Sequence, residues 1–304
     1  MKMLKILVTD GMDKGAVQTL KALGHEVIEQ FFEPEELKEQ AKNFNVIIVR
    51  SATKVRKEII DSAVQIGNLK LIIRGGVGVD NIDVVYAESN GIKVRNTPKA
   101  SSLSVAELAL GHMFSLARFI GIANVTIREG KWNKKKYTGI ELSGKTLGLI
   151  GFGRIGQELA KKAKALEMKI IYTDILGPAK DCPGCSFVSL DELLADSDFI
   201  SLHVPGNKDK SPVISKVEFT KMKDGAYLIN CSRGNVVDEQ SLLDALNSGK
   251  LAGAGLDVFP QEPPQNLELI RHEKISVTPH IGASTKEAQK RIGQEIVSII
   301  KDDI

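Results

Sequence analysis

At 304 residues the chain is long enough for two domains with buried cores. Its 41 basic and 38 acidic residues leave a formal charge of +3, which argues against wholesale nucleic-acid binding, and three cysteines do not make a secreted disulfide framework. The amino terminus has only a short apolar run without a small-residue cleavage site, so no secretory signal and a cytoplasmic location are expected.

Residues 4–9, LKILVT, read as a first strand, with a helix following toward Leu23. Short apolar strands recur at Val46–Val49, Leu69–Ile73 and Ile92–Val94, separated by helical stretches over Pro34–Lys42 and Lys54–Ile66. This alternation predicts an α/β layer structure with parallel strands, whose functional residues fall in loops past the strand C-termini. Those loops are Asp10-Gly11, Arg50-Ser51-Ala52-Thr53 and the stretch from Arg74 to Asp80. The last packs three glycines into seven positions and reads equally as a tight turn or as a nest of amides for an anion. Arg50 and Arg74 favour an acidic ligand, because guanidinium groups match carboxylate or phosphate geometry.

The run from Leu103 to Val125 contains Glu107, His112 and Arg118, which favours a buried or interfacial helix over a membrane span. Such a helix is a candidate dimer surface. The segment from Arg128 to Gly139 that follows is basic and aromatic, and reads as a solvated arm or as one that brings a lysine to an acidic substrate.

Thr146–Ile150 then has the apolar content of a buried strand and leads into Gly151-Phe152-Gly153-Arg154-Ile155-Gly156 and a helix on which Leu159, Ala163 and Leu166 share a face. In this fingerprint Gly151 permits the tight turn, Gly153 leaves room for a pyrophosphate, and Gly156 lets the helix pack closely. The helix N-terminus offers its amides to phosphates. A second strand, Lys169–Thr173, ends at Asp174, 18 residues past Gly156. A carboxylate there accepts bonds from ribose hydroxyls and repels the extra phosphate of NADP, so it points to NAD.

Further strands are expected at Phe187-Val188, Phe199–Val204, Tyr227–Asn230, Ala254–Val258 and Ile275–Thr278. Helices are expected over Ser189–Ala195, Ser215–Met222, Glu239–Ser248 with Asp238 as its cap, and Thr285–Ile300. Cys182 and Cys185 lack the ligands for a zinc site, so no metal is expected; they read as turn residues, with a local disulfide as the exception for a hyperthermophilic host. Three late polar residues suit alcohol-to-ketone chemistry beside NAD. Arg233 can hold a carboxylate, His280 can exchange a hydroxyl proton, and Glu262 can orient the imidazole.

The ordered segments VRSATKV (49–55), GGVGVDNID (75–83), NTPKASSLSVAEL (96–108), GKTLGLIGFGRIG (144–156), NCSRGNVVDE (230–239), AGAGLDVFPQEPP (252–264) and PHIGASTKEAQ (279–289) closely resemble those of the D-isomer-specific 2-hydroxyacid dehydrogenase family. The resemblance implies two parallel-sheet α/β domains. One is a Rossmann NAD-binding domain over 99–278; the other is a flavodoxin-like substrate domain over 1–98, completed by 279–304. It implies His280 as acid/base, Glu262 as its partner and Arg233 as the carboxylate anchor. Cofactor contacts are implied at Gly151, Gly153, Arg154, Ile155, Gly156, Asp174, His203, Val204, Pro205, Cys231 and Asp257, the last toward the nicotinamide carboxamide. Substrate contacts are implied at Arg50, Ser51, Val77, Gly78 and Arg233, with Lys134 or a neighbouring lysine reaching in from the partner of a homodimer formed through the NAD-binding domain.

The reaction implied first is NAD-dependent interconversion of 3-phospho-D-glycerate and 3-phosphohydroxypyruvate, which belongs to serine synthesis. The alternatives are reduction of glyoxylate, hydroxypyruvate or another small 2-oxo acid, and an NAD-binding transcriptional corepressor. Ala52 and Ser101 stand where some family members have an arginine and an asparagine, which weakens the phosphate reading. Because the chain stops at Ile304, no serine-binding regulatory domain, and no serine inhibition through one, is expected.

Overall fold

The computed structural model describes residues 3–207, 209 and 211–304. The chain divides into two compact units, one ending at Ser101 and resuming over Ala283–Ile304, the other spanning Ser102–Gly282. The junctions therefore fall a few residues past the expected 98 and 278. Ala100 packs with Ile292 and Ile296 in the first unit, whereas the amides of Ile281 and Gly282 are bound to Asp257 in the second. His280 consequently belongs to the second unit.

The first unit holds a parallel sheet of β1 (Lys5–Val8), β2 (Glu26–Glu29), β3 (Val46–Val49), β4 (Leu71–Arg74) and β5 (Lys93–Asn96), in the order β2-β1-β3-β4-β5. This is the flavodoxin-like order. All four residues of β3 are buried, as a strand covered on both faces requires. Alternate residues serve different cores. Ile47 and Val49 pack with Leu37, Ile59 and Ile60, while Val46 and Ile48 pack with Val17, Leu20 and Ile296. The helices of this unit are α1 (Lys14–Ala22), α2 (Pro34–Gln40), α3 (Lys57–Ile66), α4 (Val84–Ser89) and the carboxy-terminal helix Lys286–Asp303. β2 and α4 have no counterpart among the elements expected from sequence. Strand β2 is a sheet edge with one buried residue, Val27, between two glutamates, and α4 is too short to show a helical period.

The second unit contains β6 (Thr146–Ile150), β7 (Lys169–Thr173), β8 (Cys185–Phe187), β9 (Phe199–Leu202), β10 (Ala226–Asn230), β11 (Leu251–Leu256) and β12 (Ile275–Val277). Their order is β12-β11-β10-β9-β6-β7-β8, all parallel. Strand order reverses between β6 and β9, which makes the crevice past their C-termini the place where a Rossmann sheet takes its dinucleotide. The single helix expected over Leu103–Val125 is two, α5 (Ser102–Ala117) and α6 (Ile120–Arg128), inclined at 62°. Continuation is blocked because the Ala117 carbonyl accepts the Ile140 amide at 3.0 Å and Phe119 adopts φ 55°. Helix α5 buries Val105, Ala109, Met113 and Leu116, while α6 buries no residue. Among the described residues no single helix is long and apolar enough to cross a membrane, although the bent pair passes that test jointly.

The remaining helices are α7 (Arg154–Ala165), α8 (Leu190–Asp196), α9 (Lys216–Lys221), α10 (Glu239–Asn247) and α11 (Leu267–Ile270). Asp238 caps α10 by accepting the Ser241 amide at 2.8 Å. Cys182 and Cys185 are joined in a disulfide across a turn closed by Cys185 N–H to Cys182 O at 3.0 Å, so the pairing read from sequence as the exception is the one present.

Candidate active site

The glycine turn after β6 is shaped by two close approaches. Gly151 has φ 91°, and a Cβ there would lie 2.5 Å from the His203 carbonyl oxygen; a Cβ on Gly156 would lie 2.5 Å from the Gly151 oxygen. Gly153, at the N-cap of α7, faces open space instead. The turn thus presents the start of α7, with Arg154 exposed and Ile155 half-buried, against room for a diphosphate. Asp174, just past β7, accepts the Phe152 amide at 2.7 Å through Oδ2 and the Leu176 amide at 2.9 Å through Oδ1. These bonds aim the carboxylate while each oxygen retains acceptor capacity for ribose hydroxyls.

Past the end of β9 come His203, Val204 and Pro205. His203 Nε2 lies 3.0 Å from Ser201 Oγ, and its Nδ1 is sealed from solvent without a hydrogen-bond partner among the described residues. Burial pulls the His203 pKa down to about 4, so a neutral ring borders the turn. Gly151→Ala is expected to weaken NADH binding at least about tenfold, since a side chain at this φ and separation must displace the β9 terminus. Fluorescence titration checks this; unchanged affinity in a folded variant would mean the turn does not hold the cofactor.

Arg233, Glu262 and His280 follow β10, β11 and β12, three neighbouring parallel strands, so their loops emerge on one edge of the sheet. Asn230, buried at the end of β10, accepts the Ser232 amide and hydroxyl at 3.0 and 2.8 Å and donates to the Arg233 carbonyl at 2.9 Å, which shapes the CSRG turn. Gly234 brings that turn against the loop after β11, because a Cβ on it would sit 1.8 Å from the Phe259 carbonyl carbon. Within that loop Glu262 Oε2 lies 2.8 Å from His280 Nδ1, and Oε1 accepts the Phe259 amide at 3.3 Å. Burial works to raise the Glu262 carboxyl, but the His280 contact, the Phe259 amide and the Arg233 charge outweigh it and hold the group below its ordinary value. An ionised carboxylate only accepts, so it selects the tautomer with the proton on Nδ1 and leaves Nε2 to exchange a proton with a ligand.

The His280 backbone is itself constrained. It adopts φ 52°, and its amide is bound to the Asp257 carbonyl at 2.9 Å. The Asp257 carboxylate, 1% exposed, accepts Thr278 Oγ1 at 2.6 Å and Ile281 N at 2.8 Å through Oδ1, and Gly282 N at 2.8 Å through Oδ2. The expected carboxamide contact of Asp257 therefore has to use what acceptor capacity these donors leave. Cys231 is a buried thiol whose pKa is raised by burial and by Asp257, so it stays protonated.

On the first unit, Asp10 organises the loop after β3. It accepts Arg50 N at 2.7 Å, Thr53 N at 3.0 Å and Thr53 Oγ1 at 2.5 Å, which leaves Ser51 and Ala52 exposed at the tip. Asn81 ties this loop to the next by donating to the carbonyls of Arg50 and Thr53 at 2.8 and 2.6 Å. Val77 and Gly78 are held from below by Asn96, which donates to the Val77 carbonyl. Lys134 opens a 3-10 turn, Lys134–Lys136, on the second unit and is exposed beside Trp132. The supporting groups Asn81, Asn96, Thr278 and Asn230 carry no signal in a single sequence, because amides and hydroxyls that brace loops look like ordinary turn residues.

Residues 110–282 match the model of the D-isomer specific 2-hydroxyacid dehydrogenase NAD binding domain. The chain belongs to the D-isomer-specific 2-hydroxyacid dehydrogenase family. It is 49% identical over 300 residues to the hydroxypyruvate reductase of Thermotoga maritima, covering 97% of both chains. It is 44% identical over 302 residues to the D-3-phosphoglycerate dehydrogenase of Methanocaldococcus jannaschii, covering 98% of this chain and 57% of that one. Its structure is similar to that of D-lactate dehydrogenase from Aquifex aeolicus complexed with NAD and lactic acid, with a TM-score of 0.86, 32% identity and coverage of 97% and 94%. The chain thus spans little more than half of the phosphoglycerate dehydrogenase and nearly all of the other two. As in this family, the second unit is an NAD-binding Rossmann domain and the chemistry is NAD-dependent oxidation and reduction of a D-2-hydroxy acid.

Proposed function

We propose that the protein is an NAD-dependent reductase of a small unphosphorylated 2-oxo acid, with hydroxypyruvate and glyoxylate as the leading substrates. The carrying observation is the 49% identity to a hydroxypyruvate reductase across 97% of both chains. Ala52 and Ser101 agree with it, since they withhold a guanidinium and an amide that a phosphate would use. This reading replaces the phosphoglycerate reaction as the first choice. The latter stays as the second reading, supported by Arg50, Ser51 and the 44% identity to a phosphoglycerate dehydrogenase.

When bound, NADH supplies the hydride, and NAD accepts it in the reverse direction. Arg233 pairs with the substrate carboxylate and orients the neighbouring carbonyl. In reduction His280, held by Glu262 and protonated on both ring nitrogens, gives its Nε2 proton to the carbonyl oxygen as the carbon takes the hydride, leaving the neutral Nδ1–H ring; in oxidation that neutral ring takes the hydroxyl proton back at Nε2. Gly151, Gly153, Arg154, Ile155 and Gly156 hold the diphosphate and Asp174 the ribose, with His203, Val204, Pro205 and Cys231 along the cofactor. Arg50, Ser51, Val77 and Gly78 on the first unit are assigned to the substrate. A homodimer through the second unit accords with exposed Ile120, Val125, Ile127 and Trp132, and Lys134 belongs to that surface.

Steady-state rates with hydroxypyruvate, glyoxylate and 3-phosphohydroxypyruvate, each with NADH and NADPH, test the proposal. One of the unphosphorylated acids is expected to exceed the phosphorylated one by at least about tenfold in kcat/KM, with NADH preferred. A tenfold preference for 3-phosphohydroxypyruvate would reverse the assignment.

A further inference from the structure

His112 is a buried titratable group that the chemistry above leaves unused. It lies on α5 at 2% exposure, with Nδ1 2.9 Å from Ser276 Oγ and Nε2 3.1 Å from Thr278 Oγ1. Gly255 on β11 admits the ring so close to the sheet, since a Cβ there would lie 2.7 Å from that of His112. Burial lowers the His112 pKa, with Asp257 opposing, and the neutral ring that results has one donor and one acceptor.

The neighbours decide which nitrogen is which. Thr278 has one hydroxyl proton, and it lies 2.6 Å from Asp257 Oδ1, a carboxylate oxygen that only accepts. Thr278 Oγ1 must therefore accept from His112, which puts the ring proton on Nε2. Nδ1 then accepts from the Ser276 hydroxyl at 2.9 Å. One polarity runs from Ser276 through His112 and Thr278 to Asp257. Asp257 in turn holds the amides of Ile281 and Gly282 with its carboxylate, and the His280 amide with its carbonyl.

We propose that His112 is a positioning residue for His280: by orienting the Thr278 hydroxyl toward Asp257, it holds the left-handed His280 backbone that aims Nε2. The inference rests on the proton-transfer role proposed for His280, so its test includes a readout independent of turnover. The ring resonance of His280, followed in isotope-labelled protein and assigned by its loss in His280→Asn, supplies that readout.

His112→Leu is expected to shift this resonance and to lower kcat about ten- to a hundredfold, with NADH affinity within about twofold of wild type. His112→Gln, whose amide can donate to Thr278 and accept from Ser276, is expected to restore both. Thr278→Val, nearly isosteric, interrupts the same chain and is expected to reproduce the leucine variant's signature even if that variant folds poorly. An unmoved His280 resonance with normal kcat in the leucine and valine variants would overturn the proposal, as would equal losses in the leucine and glutamine variants, which mark packing alone. A shifted resonance in protein that reduces none of the acids in the panel would support the positioning role and sink the proposed function.

Discussion

Replacing His280 with alanine is expected to lower kcat by about 10²- to 10⁴-fold while NADH affinity stays within about twofold, the range general acid–base catalysis commands. The expectation follows from the division of labour on the ring. Nδ1 is committed to Glu262 at 2.8 Å, so Nε2 is the atom that can move a proton to or from substrate, and alanine removes it. The glycine turn and Asp174, proposed to hold the diphosphate and ribose, lie past β6 and β7 and not in the loop after β12 that carries His280, so NADH affinity is expected to change little. The side chain is 36% exposed, and its removal is expected to cost about 1 kcal/mol of stability or less. Stopped-flow reduction of the preferred acid, alongside a fluorescence titration with NADH, separates the two quantities. Near-normal turnover would remove His280 from the chemistry.

Arg233→Ala is expected to lower kcat/KM by about 10²- to 10³-fold, the loss that follows when one member of a desolvated charge pair is deleted. Most of this is expected in KM, because the carboxylate is negative in both the ground state and the transition state. Arg233→Lys is expected to recover only part of it, since an ammonium group does not reproduce the two parallel bonds of a guanidinium. A substrate series that replaces the carboxylate by an uncharged amide gives the decisive comparison. Wild type should discriminate strongly between the two, and the alanine variant should not. If kcat/KM for the acid fell less than threefold, the anchor would have to be sought at Arg50 or in the amides of Val77 and Gly78. The variant also tests Glu262 indirectly, because the Arg233 charge is one of the influences that keep that carboxyl ionised.

Local rules made a large part of this protein legible before any coordinates. Val46–Val49 is a strand at the expected residues because a strand covered on both faces must be continuously apolar. The fingerprint from Gly151 to Gly156 and Asp174 is legible for a similar reason: tight turns and phosphate approach restrict residue type at fixed spacing, and the structure supplies the contacts that forbid a side chain at Gly151 and Gly156. Asp238 as a cap is another local effect. Edge strand β2 and the break after Ala117 escaped the same rules, and the disulfide between Cys182 and Cys185 was legible only as an exception. Each depends on what another segment does nearby: a neighbouring strand, the Ile140 amide, and the conformation of a turn.

The site shows the same division. Arg233, Glu262 and His280 are recognisable as candidates by chemical type and by the motifs around them, and the NAD-linked reaction class follows from the sequence by itself. That they meet was a matter for tertiary structure, because adjacency of β10, β11 and β12 is a property of strand order, and hydrophobic periodicity marks strands without ordering them. Tertiary structure alone also showed that the His280 amide is bound to Asp257, that Asp257 holds Thr278, and that His112, 166 residues earlier in the chain than Thr278, bonds to it. Long-range hydrogen bonds between buried side chains leave no period and no local spacing in a sequence, since their geometry exists only once the strands and helices that carry them have packed.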